Sequence, residues 1–222
     1  MVKLPWVGVL ALTTVLLSAT SQAVTTTYTT ESSFIAALPG PATTLDFDSI
    51  ASGTIVNSGD TLGGITFTYS IGPPPVDMAV VSDFETTSGT NYLGLDDPGN
   101  SNLFIAGDTF SLAFDSPVNA VGMYFVSGDP LFASDIELVT SAGSAFNGDI
   151  VDVTFGDGGL AYYIGLISDQ SFSSTSIAFN PLAEGAFLYS VDDITTTVVP
   201  LPGALWLFGS GLMGLLACHK RS

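Results

Sequence analysis

The chain has 222 residues, with 24 Gly, 12 Pro and 46% hydrophobic residues, and sets 3 Lys/Arg against 21 Asp/Glu for a formal net charge of −18. Lys3, Lys220 and Arg221 stand at the extreme ends together with Cys218 and His219, the single Cys and His, while every acid lies between Glu31 and Asp193. The centre therefore offers no imidazole base, thiol nucleophile, zinc ligand set or cationic phosphate clamp, and its one-signed field repels nucleic acid and anionic lipid headgroups.

At the start, Met1-Val2-Lys3 precedes an apolar stretch over residues 4–17. A charged head and a short apolar run are the pattern of a secretory signal peptide, too short for an ordinary membrane span. Ser21-Gln22-Ala23 places small residues at the −3 and −1 positions, so residues 1–23 are expected to be removed by cleavage after Ala23 once the Sec export machinery has engaged them.

Residues 24–198 then form one body of 175 residues with 21 acids and no base, long enough for a single domain with its own core. The segment 31–38 reads as a short helix before Pro39-Gly40. Most of the rest alternates in period two: Leu45 and Phe47 against Asp46 and Asp48, Phe110, Leu112 and Phe114 against Ser111 and Ala113, Val151, Val153 and Phe155 against Asp152 and Thr154. Further strands are expected over 64–69, 118–126, 135–140, 161–167, 175–179 and 187–195. Turn chemistry divides them at 72–75, 96–100, 147–149 and 156–159. About ten short strands at this spacing predict an all-β fold, an antiparallel β-sandwich of jelly-roll type. No Cys lies inside the body, so burial must stabilise it without disulfides, with bound cations as a further candidate source of stability.

Beyond it, Val199-Pro200-Leu201-Pro202 leads into an uncharged Leu-, Gly- and Phe-rich stretch over 203–217 and then His219-Lys220-Arg221-Ser222. This reads as one short transmembrane helix whose basic end, Lys220 and Arg221, stays cytoplasmic, with the body outside. Ser210 and Gly214 form a small-xxx-small pair, secondary to the tail as a whole. Pro motif, apolar helix and basic tail together over 199–222 resemble the PEP-CTERM sorting signal of Gram-negative exoproteins, with Leu201 where Glu is usual, as in a common subtype. The resemblance implies recognition by an exosortase, a membrane protease or transpeptidase. It further implies removal of the tail near the Pro motif and release or attachment at the cell surface, often alongside exopolysaccharide production. The pieces 45–48, 91–94, 118–125, 163–168 and 189–194, in that order, also resemble the β-sandwich domain carried by many proteins with this signal, similar in architecture to galactose-binding and carbohydrate-binding jelly rolls. Architecture alone fixes no ligand.

Within the body, Phe187, Tyr189, Val191 and Asp193 share one face of the last strand by alternation, which puts a carboxylate at the end of an apolar series. With no Lys or Arg to neutralise it, backbone N–H groups, hydroxyls, a shifted pKa or a metal must do so. Asp46 and Asp48 project together from an early strand. Asp46, Asp48 and Asp193 are therefore candidate ligands of Ca2+, the hard cation that oxygen-only ligands select, against the plainer reading of solvated or turn-capping acids. Tyr92, Tyr124, Tyr162, Tyr163 and Tyr189 would stack on sugar rings if exposed, although aromatics on strands are more often core. The expected role is that of a non-catalytic structural or exopolysaccharide-associated surface protein. A calcium-dependent carbohydrate-binding module and a carboxylate-based glycosidase are the alternatives.

Overall fold

A computed structural model describes residues 23–180 and 187–198. Residues 1–22, 181–186 and 199–222, with the expected signal peptide and C-terminal span among them, lie outside the described residues. In chain order the elements are β1 (Thr25–Tyr28), α1 (Glu31–Ala37), β2 (Ala42–Leu45), β3 (Ile55–Val56), β4 (Thr61–Leu62), β5 (Ile65–Tyr69), β6 (Met78–Val81), β7 (Tyr92–Leu95), β8 (Phe104–Ile105), β9 (Phe110–Ser127), β10 (Ile136–Thr140), β11 (Gly143–Phe146), β12 (Val153–Thr154), β13 (Leu160–Phe179) and β14 (Leu188–Thr197). Every pairing among them is antiparallel. Among the described residues the fold is all-β apart from one short helix and a 3-10 turn at Pro98–Asn100.

Two long strands organise it. β9 and β13 pair from Leu160↔Ser127 to Ile177↔Phe110, with register shifts around Phe172. At that point both strands expose three successive residues, Asp115-Ser116-Pro117 and Asp169-Gln170-Ser171. Pro117 has no N–H to give a ladder, so the break falls where a hydrogen bond would be lost anyway. On one side of the break β9 pairs with β5 and β13 with β10, extended by β4 and β11. On the other, β9 pairs with β14 and β13 with β1 and β12, and β14 continues to β7, β6 and β3 while also meeting β2 and β8. The two parts enclose a common core, with Phe67, Leu112, Leu138 and Ile177 from one and Val121, Met123, Phe125, Ile164, Leu166 and Val191 from the other.

Several elements depart from the sequence expectation for visible reasons. The strands expected over 110–114 and 118–126 are one strand, as are those over 161–167 and 175–179, because each continues through its polar break instead of turning. The strand expected to include 45–48 ends at Leu45, and the segment 151–155 keeps only β12. β6 and β7 show no alternation because all of their residues are buried.

The second part of the fold is buried on its outer face too. Alternate residues there, Ala120, Tyr124, Val126, Ala161 and Tyr163, form a smaller cluster closed by Phe34 of α1. The helix can come close because Gly122 and Gly165 are paired directly beneath it. A Cβ on Gly165 would lie 2.6 Å from Phe34 Cδ2, and one on Gly122 would lie 2.2 Å from Tyr163 Oη. Phe34 and Tyr163 meet with ring centroids 5.5 Å apart, and Tyr124 and Tyr163 at 4.9 Å. Gly165→Ala should therefore cost about 1–3 kcal/mol through overpacking, read as a lowered urea midpoint with an unchanged slope, while Ala at the open turn position Gly128, which has no heavy atom within 4 Å of a built Cβ, should have little effect.

Candidate functional site

The outer face also carries the acidic residues singled out above. β2 pairs with β14 through Ile194↔Leu45, so the segment 46–48, which follows β2, lies beside Asp193. Asp46 and Asp48 are electrostatic neighbours of Asp193 and raise its pKa. The three sequence candidates thus share one corner of the fold.

The alternation that placed Asp193 inward does not survive. β14 has a register shift between Asp192 and Thr195: Asp192 opposes Tyr124 and Thr195 opposes Gly122, leaving two residues of β14 against the single Met123. This is a β-bulge. Asp193 takes a left-handed conformation, φ 51°, and absorbs the extra residue, so Val191 and Ile194 both reach the main core. Asp192 is the deeply buried carboxylate, at 0% exposure, with Asp193 beside it at 8%. Phe47 also has a positive φ, 59°, which turns Asp46 and Asp48 off the strand while its ring fills the core. For a bulky side chain this conformation costs about 1–2 kcal/mol, offset by that burial.

With no cationic side chain at hand, a hydroxyl-rich loop supplies hydrogen-bond donors. Asp192 Oδ2 accepts bonds from Thr86 Oγ1, from Thr87 Oγ1 at 2.9 Å, and from Ser88 N and Oγ at 3.1 and 3.2 Å, while Asp193 N donates to Asp192 Oδ1 at 2.8 Å. Asp48 Oδ1 accepts from Thr90 N and Asn91 N at 2.8 and 3.0 Å. Between these anchors Gly89 passes so close that a Cβ would sit 1.9 Å from Asp48 Oδ2. The loop 86–91 is thereby fastened at both ends to carboxylates.

A second set of acids adjoins the first. Glu31 N and Tyr124 Oη donate to Asp152 Oδ2 at 2.9 and 2.8 Å, which ties the start of α1 to the segment before β12. Tyr163 Oη is buried without a hydrogen-bond partner, with Glu31, Asp193 and Asp152 as its charged neighbours. Burial and those charges hold the phenol neutral. Burial first, and then Asp193, push Asp192 up to about 6 against the lowering effect of its Thr86, Thr87 and Ser88 donors. Asp193 and Glu31 are also raised, burial again being the largest cause.

Calcium suits these ligands chemically, since they are all oxygen. Among the described residues no group of three or more Asp, Glu, His or Cys stands together as a metal-binding set. The five candidate tyrosines are buried, so none presents a ring for sugar stacking. An exposed aromatic, Phe84, instead borders a separate cavity of about 530 Å³ with Glu85, Asp129, Asp157 and Leu188 in its lining. Alternation puts Asp192 on the opposite face from Asp193 and singles out neither it nor Glu31, Asp152 and the loop 86–91 as site residues. The pair Asp192-Asp193 between Val191 and Ile194, two polar residues where alternation allows one, was the signal of the bulge, and the run Thr86-Thr87-Ser88-Gly89-Thr90-Asn91 was the signal of the donors.

β14 ends at Thr197, and residues 198–221 match the family model described as the PEP-CTERM protein-sorting motif. The chain carries a PEP-CTERM sorting signal. The motif implies export, transient membrane anchoring and processing by an exosortase, a membrane protein. No helix among the described residues is long and apolar enough to cross a membrane, and the expected span falls in the tail outside them. No curated protein matches the chain at a significant level.

The raised carboxylates fix a direction of pH dependence. A folded acid with a raised pKa binds its proton more tightly than the unfolded chain does, so stability falls as pH rises through the interval from about 4 to about 6. For Asp192 the change amounts to at most about 3 kcal/mol. Urea midpoints should be higher at pH 5 than at pH 7, and Asp192→Asn should flatten much of that slope. A wild-type midpoint that rises from pH 5 to pH 7 would contradict the assignment.

Proposed function

We propose that the protein is an exported, exosortase-processed component of the cell surface or extracellular matrix, with a non-catalytic, structural or exopolysaccharide-associated role. The observation that carries this reading is the PEP-CTERM motif at residues 198–221. In this reading the signal peptide 1–23 directs Sec export and is cleaved after Ala23. The C-terminal helix holds the chain in the inner membrane with Lys220 and Arg221 in the cytoplasm until the exosortase acts near Val199-Pro200-Leu201-Pro202. The body is then a jelly-roll-like sandwich of the carbohydrate-binding type that works outside the cell. Its acids, unaccompanied by Lys, Arg or His between residues 24 and 198, suit a hydrated polymer matrix with mobile counterions, in which excess charge keeps the domain soluble. Mass spectrometry of the protein recovered from the surface or medium should find a C-terminus near the Pro motif. A chain intact through Ser222 would overturn the reading.

A calcium-dependent carbohydrate-binding role is the second reading. It is favoured by the cavity bordered by Phe84 and by the loop that joins this cavity to the acidic corner. An ion drawn to Asp46, Asp48 and Asp193 would relieve their repulsion and fix the loop 86–91, two residues from Phe84. Glycan-array binding that is lost with chelator and restored by calcium, together with a rise in Tm at millimolar calcium, is the expected result. An unchanged Tm removes calcium from this reading.

A further inference from the structure

One backbone nitrogen stands where this domain could hold a cation. Val24 N donates to Asp169 Oδ1 at 2.8 Å, and Asp169 N donates in return to Val24 O at 3.1 Å. The pair continues the ladder of β1 on β13 by one step beyond Thr25↔Ser168. It fastens β1 to the polar bend of β13. The same surface depression is lined by Thr26 and by Asn119. Asn119 Oδ1 is a buried acceptor with no hydrogen-bond partner. Asp169 is the only titratable group in that lining. Asn119 Oδ1 thus leaves one acceptor in the depression open to a further donor, and Val24 itself is 67% exposed.

We propose that hydrolysis of the Ala23–Val24 bond turns Val24 N into an α-ammonium that pairs with the Asp169 carboxylate, and that this is the mature domain's one fixed cation. In the hydrolysis the hydroxyl of water goes to the Ala23 carbonyl carbon, the C–N bond breaks, and the nitrogen takes up protons to become –NH3+ at neutral pH. The enzyme is the signal peptidase of the export route, so the proposal rests on the export reading above. The amide offers Asp169 one N–H and no charge. The ammonium offers three N–H donors and a full charge, enough for Asp169 Oδ1 and a further acceptor in the depression. The folded domain thus meets an ammonium, instead of an amide, at a position where Val24 N already faces Asp169 Oδ1.

The test uses protein secreted from the full-length gene. The N-terminal residue is read by mass spectrometry, and the α-amine is labelled by reductive 13C-methylation and titrated by NMR in wild type, Asp169→Asn and Asp169→Glu. Between residues 24 and 198 there is no Lys to compete for the label. The expected result is a first residue Val24 whose amine titrates above the ordinary α-amino range in wild type and Asp169→Glu and returns to that range in Asp169→Asn. A pKa raised in the folded state adds stability that is present at neutral pH and is lost as pH rises through it. Asp169→Asn should accordingly lower Tm by about 2 °C at pH 7, as for an exposed pair, and leave it unchanged at high pH. Should Asp169→Asn not accumulate, salt decides: a wild-type amine that titrates identically at low salt and about 1 M NaCl overturns the pairing. An ordinary amine titration at a Val24 terminus overturns the proposal and leaves export standing. A retained Met1 overturns both.

Discussion

Every buried carboxylate in the described structure must be satisfied without a side-chain cation, because no Lys, Arg or His occurs between residues 24 and 198. Burying an unpaired charge is costly, and a hydroxyl or amide N–H is the donor that remains. The same solution recurs at half-buried and exposed acids as well. Asp192 collects the hydroxyls of Thr86, Thr87 and Ser88, Asp48 the amides of Thr90 and Asn91, Asp135 the amide of Phe132 at 2.7 Å, Asp108 that of Ile105 at 2.8 Å and Asp60 that of Asn57 at 2.8 Å. Most of these close loops or turns. The acids work as clasps for the chain between strands, and the Ser, Thr and Asn content of the loops supplies what they hold.

The constraint accounts for the local backbone. Two carboxylates in succession cannot both leave the core in a regular strand. The bulge at Asp193 lets them do so while Val191 and Ile194 remain inside. The left-handed residue Phe47 does the matching work on β2, sending its ring inward and Asp46 and Asp48 outward. Gly89 then lets the donor loop lie against Asp48. Strain at two non-glycine positions and one close glycine thus serve a single corner, where four carboxylates and a phenol without a partner lie together.

Much of this architecture was legible in the sequence. The period-two segments over 64–69, 110–114, 118–126 and 135–140 announced antiparallel strands, and 31–38 the helix. The merging of paired segments into β9 and β13 was not legible, because a bend and a turn have the same polar composition and only pairing across the gap tells them apart. β6 and β7 were invisible to alternation because both of their faces are covered. At the site, the juxtaposition of Asp46 and Asp48 with the last strand could be foreseen, whereas the bulge that takes Asp193 off the face shared by Tyr189 and Val191 could not. A single inserted residue inverts the side on which every later side chain falls. The tail was the most legible part, since its motif, apolar run and basic end are contiguous and need no fold to be recognised.

β14 is the last strand among the described residues and lies in the middle of its sheet, flanked by β9 on one side and by β2 and β7 on the other. β2 and β7 therefore have no central strand to join until residues 188–197 arrive. Closure of that sheet relies on pairings far apart in sequence, which form slowly. A chain threading outward N-terminus first would cross almost entirely before this sheet could form, with the sorting motif following at the very next residue. The strand that completes this sheet is thus the stretch of chain directly before the sorting motif, so the last pairings of the fold and the start of the tail are neighbours in sequence.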